Sequence, residues 1–97
     1  MKRKVRVEVT RHDTENGYML SCSSCPVAIA VKRAVSAGLT RRVAVEVHMN
    51  FARVYGDHPW EARLPSDVQM WISLYDSSGV NVLPAPPKPF TLTFVRS

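Results

Sequence analysis

The chain has 97 residues, with thirteen Lys and Arg against eight Asp and Glu, and a formal net charge of +5. At 45% hydrophobic and 22% charged residues it has the composition of one folded domain with a modest core, which excludes a disordered chain. No apolar run approaches the ~20 residues of a bilayer span, and the basic start MKRKVRVEV lacks the apolar stretch of a signal peptide, so a soluble, intracellular, cytoplasmic protein with reduced thiols is expected.

Residues 4–10, KVRVEVT, alternate strictly: Val5, Val7 and Val9 on one face, Lys4, Arg6, Glu8 and Thr10 on the other. This is the pattern of a half-buried strand. Residues 11–24 are polar and turn-rich around a short insert, Tyr18-Met19-Leu20. They read as a loop with at most one helical turn after Thr10. Pro26 then opens a helix, because its missing N–H needs no partner in the first turn. Val27, Ala30, Val31, Ala34 and Val35 form its apolar stripe, Lys32, Arg33 and Ser36 lie opposite, and Gly38 ends it. Ile29 falls among the charges, and the Tyr18-Met19-Leu20 insert is the economical cover for it.

Alternation returns over 42–49, with Val43, Val45, Val47 and Met49 inward and Ala44, Glu46 and His48 outward. Phe51, Val54 and Tyr55 carry an apolar tendency on to Gly56, either as one bent strand or after a turn at Asn50, and WEARL (60–64) is a short strand candidate. Pro65 opens a second helix with Asp67 in its first turn, where negative charge suits the dipole. Val68, Trp71, Ile72 and Tyr75 form its core stripe, Met70 and Leu74 a second apolar side, and Gly79 closes it. Residues 82–89 contain four prolines, a stiff connector suited to lie over Met70 and Leu74. The last strand places Phe90, Leu92 and Phe94 inward and Thr91, Thr93 and Val95 outward.

The order is β-α-β-(β)-α-β. Strands apolar on one side only imply an α+β fold, a mainly antiparallel sheet with two helices on one face. The nearest common arrangement is the split βαβ, ferredoxin-like fold. Three stretches carry a resemblance: Cys25-Pro26-Val27-Ala28-Ile29-Ala30, then Leu64-Pro65 through Val68, Trp71-Ile72 and Tyr75-Asp76, then Pro89-Phe90-Thr91-Leu92-Thr93-Phe94. Together they resemble small phage-type proteins of uncharacterised role, which pair a Cys-Pro-Ile/Val-Ala helix start with a Leu-Pro-x-x-Val-x-x-Phe/Trp-Ile second helix. The resemblance implies a phage-type accessory protein and carries no activity with it. Cys22 is not part of the shared pattern.

Several constellations carry chemistry in principle. Cys22-x-x-Cys25 with His12 is a conceivable zinc set, but tetrahedral zinc needs further donors and no second Cys-x-x-Cys exists. As a redox pair, Cys25 would be the thiolate at the helix start and Cys22 the resolving thiol. The bland reading makes Cys25 a small buried hydrophobe. Asp57-His58 and His12-Asp13 are acid–base pairs that read first as turns, and no phosphate loop or nucleophile motif is present. No enzyme activity and no cofactor is expected. Lys2, Arg3, Lys4 and Arg6 form a basic cluster suited to nucleic-acid phosphates. The open sheet face, read as Lys4, Arg6, Glu8, Thr10, Glu46, His48, Thr91 and Thr93, has no aromatic for base stacking. Ile29, Met70 and Leu74, off the main stripes, are the better pointer. The favoured expectation is an interaction module for a host or phage protein, with a second copy of the chain as a further partner. A nucleic-acid-binding protein is the alternative, and a small zinc-binding domain a further one.

Overall fold

The computed structural model describes residues 2–18, 21, 23–36, 43–56, 59–77 and 84–96. The elements run β1 (Lys2–Val7), α1 (Arg11–Asn16), α2 (Pro26–Ser36), β2 (Ala44–Val47), β3 (Phe51–Tyr55), β4 (Trp60–Arg63), α3 (Ser66–Ser77) and β5 (Phe90–Arg96). The strands form one five-stranded sheet in the order β1-β5-β4-β3-β2, and every neighbouring pair is antiparallel. The expected α+β class and mainly antiparallel sheet are therefore present. The ferredoxin-like arrangement is not: a split βαβ places a third strand between the two it joins, whereas β4 and β5, joined through α3, are adjacent and antiparallel.

One sheet face carries the core. Val5, Val7, Val45, Val47, Ala52, Val54, Ala62, Phe90, Leu92 and Phe94 are buried on it, and Val9 extends it past β1. Helix α2 meets it with Val27, Ala28, Ala30, Val31 and Val35, and α3 with Val68, Trp71 and Tyr75. The stripes expected of both helices are the ones buried, with Ala34 and Ile72 packed at their margins.

The segment read as a loop contains α1, and its start is chemically explicit. Thr10 is the N-cap: its Oγ1 accepts the Asp13 N–H at 3.2 Å, and its own N–H donates to Asp13 Oδ2 at 2.9 Å. This reciprocal pair satisfies two otherwise orphaned N–H groups. A helix of six residues is too short to hold itself, and two tertiary contacts hold it. The Arg33 guanidinium on α2 donates to both Asp13 carboxylate oxygens at 2.8 Å and to the Glu8 carbonyl at 2.7 Å. The Tyr75 hydroxyl on α3 donates to the carbonyls of Thr14 and Gly17 at 3.1 and 3.0 Å. Burial, then the charges of Cys25 and Asp76, push the Tyr75 phenol up, so it stays a donor.

The chain returns tightly after α1. A Cβ on Gly17 would stand 2.7 Å from both N and Cδ of Pro26, the first residue of α2. Gly17→Ala therefore forces the α1–α2 junction apart. It should cost about 1–3 kcal/mol, as overpacking does, read as a fall in Tm of about 4–8 °C per kcal/mol in thermal denaturation.

Asp13 is 1% exposed. Burial alone would raise its pKa, but hydrogen bonds from Arg33 and Thr10 and the Arg33 charge outweigh it and hold the carboxyl below its ordinary 3.8. The unfolded chain then takes up the proton first, so the stabilisation is complete above the ordinary value and is lost as pH falls through the lower folded one. Asp13→Asn should remove about 2–3 kcal/mol at neutral pH, the worth of charge-assisted hydrogen bonds. Its Tm should also fall less than that of the parent on acidification from about pH 5 to about pH 3, measured by circular dichroism.

Candidate functional site

Three regions contain the residues singled out from sequence. The first is the start of α2. Cys25 is buried, and its Sγ accepts the Ala28 N–H at 3.4 Å, the cap role usually taken by an oxygen. His12 is exposed on α1, and the carboxylate of the adjacent Asp13 is taken by Arg33 and the Thr10 N–H, so His12 and Asp13 do not form a pair. Among the described residues, no group of three His, Cys, Asp or Glu side chains is placed to hold a metal. Cys22, Asp57 and His58 lie outside the described residues.

The second region lies beside α3. Met70 and Leu74 are 74% and 56% exposed, and Met49 is 81% exposed. All three line one groove of about 770 Å³, together with Trp71 and the polar Ser66, Asp67, Gln69, Ser73 and Ser77. Met49 was expected inward. It instead forms, with Asn50, the two-residue turn joining β2 to β3, closed by a bond from the His48 N–H to the Phe51 carbonyl at 2.8 Å. The proline connector does not cover the groove in its described part. Ala85 accepts the Trp71 indole N–H at 2.6 Å, and Pro84, Ala85 and Pro86 border α1 at Arg11 and Glu15. Ile29 is half-buried and does not line the groove, so it is not grouped with Met70 and Leu74. Of its expected cover, Tyr18 is 69% exposed, and Met19 and Leu20 lie outside the described residues.

The third region is the sheet face away from the helices. Alternation divides the basic N-terminal cluster: Lys4 and Arg6 pair with Thr93 and Thr91 on the outer face, whereas Arg3 pairs with the inward Phe94 and is exposed at the helix-side margin. Lys2 pairs with Val95 at the start of β1. The expectation that this face lacks aromatics is overturned. Val47 pairs with Ala52, both inward, so the turn at Met49-Asn50 shifts the alternation and places Phe51, Arg53 and Tyr55 outward. Glu61 and Arg63 of β4 join them.

The outer face has two electrostatic halves. On β2–β3–β4, the acids have partners: Arg53 forms an ion pair with Glu61 at 3.1 Å, and the His48 ring is in hydrogen-bond contact with Glu46 Oε1 at 3.1 Å. The Tyr55 hydroxyl donates to the same Glu46 Oε1 at 2.9 Å, and the Arg53 guanidinium lies 5.7 Å from the Tyr55 ring centre. Toward β5 and β1, Lys4, Arg6 and Arg63 are exposed, and no carboxylate among the described residues pairs with them.

No family model, curated protein or solved structure matches this chain. No helix of the described residues is long and apolar enough to cross a membrane.

The hydrogen bond from Tyr55, followed by that from His48, holds the Glu46 carboxyl below its ordinary 4.5. Tyr55→Phe removes the larger influence, so the Glu46 carboxyl should titrate higher in the variant, read from its side-chain carbon shift by NMR.

Proposed function

We propose that this chain is a small, non-enzymatic interaction module of the phage-accessory type, acting in the host cytoplasm and docking a host or viral protein. One observation carries the reading: Met49, Met70 and Leu74, each more than half exposed, line a single groove. Apolar side chains gathered in this way mark recognition surfaces rather than random surface composition. Methionine suits the role because its unbranched side chain adapts to the surface it meets. The serines of α3 leave room for close approach. The chemistry fits the apolar stripe of an amphipathic helix laid along α3.

The test is capture from host cells by the tagged protein, with and without nuclease, followed by reconstitution with the purified captured protein. Met70→Asp with Leu74→Asp should abolish the interaction while leaving Tm nearly unchanged, since both residues are exposed. Nuclease should have no effect. Binding that survives both substitutions, or capture that nuclease abolishes, overturns the reading. So does self-association lost in the double variant, seen by sedimentation, which would assign the groove to a second copy of this chain.

A further inference from the structure

We infer that the outer sheet face from β1 across β5 and β4 to Phe51 at the start of β3 binds single-stranded nucleic acid, with Lys4, Arg6 and Arg63 on phosphates and Phe51 against a base. The strand register assembles the site. Lys4 pairs with Thr93 and Arg6 with Thr91. Glu61 pairs with Val95, which carries Arg63 to the level of Thr93, and Arg63 pairs with Phe51. Phe51, Arg63 and Thr93 line one shallow depression of about 480 Å³, and the His48 ring stacks on Phe51 at 4.6 Å.

Charge complementarity selects the occupant. Lys4, Arg6 and Arg63 lack carboxylate partners among the described residues. Glu61, which lines the same depression, is paired with Arg53, and Glu46 is hydrogen-bonded by His48 and Tyr55. Glu8, just past β1, has its charge felt by Arg33. Protection of a sheet edge would explain Lys4 and Arg6 on β1. It does not explain Arg63, because β4 lies between β5 and β3 inside the sheet. An aromatic among cations on an open sheet is the pattern that takes unstacked bases and the backbone together. A duplex keeps its base faces inside its own stack and offers Phe51 nothing to stack on. The threonines between the cations add hydroxyl donors for phosphate or sugar oxygens.

The test uses the full chain and labelled single strands of RNA and DNA of about 12 nucleotides, followed by fluorescence anisotropy from low to physiological salt. The expected result is binding whose log K falls against log salt with a slope of about −2, for three phosphates on a single strand. Lys4→Ala, Arg6→Ala and Arg63→Ala should each weaken it and lessen the slope by about 0.7. Phe51→Leu should weaken it on the order of tenfold, the effect of losing one stacked base, with the slope kept. Circular dichroism confirms that each variant is folded, and the exposed Lys4 and Arg6 variants test the site even where Phe51→Leu does not fold. The inference is overturned by absence of binding at about 50 mM salt, or by affinity indifferent to the three cations. It is also overturned where folded Phe51→Leu binds as the parent does, or where a duplex or polyglutamate competes equally well. Met70→Asp with Leu74→Asp should leave this binding intact, which separates it from the groove.

Discussion

The carboxylate of Asp13 joins three parts of the chain: the exit from β1, α1 and α2. It accepts the Thr10 N–H to begin α1, and two parallel bonds from Arg33 to fasten α1 to α2. Through the same guanidinium it is tied to the carbonyl of Glu8, at the exit from β1. A buried carboxylate is tolerated only when its oxygens are occupied and its charge is met, and both conditions are satisfied here. The bidentate geometry requires arginine, since lysine offers a point charge rather than a planar fork. Arg33 itself is half exposed, with 51% of its side chain accessible, so the pair keeps one partner in water and avoids the full desolvation cost of a buried ion pair.

The placement of the other elements follows from this joint. With α1 held against α2, Gly17 can stand against Pro26 with no room for a side chain. The carbonyls of Thr14 and Gly17 then face α3, where Tyr75 ties them to the third helix. Trp71, stacked on Tyr75 at 5.4 Å, secures the connector at Ala85. All of this polar joinery lies on the helix side, which leaves the opposite sheet face uncovered and the Met70–Leu74 side of α3 open. The two surfaces differ in kind. One gathers exposed Met49, Met70 and Leu74 among polar side chains of α3, and the other is cationic with an aromatic among the charges. They suit different partners and are built from different elements, so the chain can present both at once.

Legibility from sequence followed the range of the interactions concerned. The stripes of α2 and α3 and the inward residues of β1 and β5 were readable, because period-3.6 and period-2 patterns are local. Met70 and Leu74 were legible for the same reason, as residues off a stripe. The capping box at Thr10 and Asp13 was visible in principle, with Thr followed three residues later by an acid, though the composition of residues 11–24 favoured a loop. The partnership of Asp13 with Arg33 was not legible: it spans twenty residues, and Arg33 sits on the polar side of α2, where solvent is the default environment.

By itself the sequence determined the α+β class, the inward faces of the helices and of β1 and β5, and the proline start of α2, because each depends on side chains a few residues apart. Tertiary structure decided the strand order, which of the basic residues share a face, and where the aromatics of β3 point. The reason is physical in each case. A two-residue turn at Met49-Asn50 shifts the alternation and exchanges the faces of the β3 residues that follow it. Strand order, which sets Lys4 and Arg63 on either side of β5, is a choice among long-range pairings that no local pattern encodes.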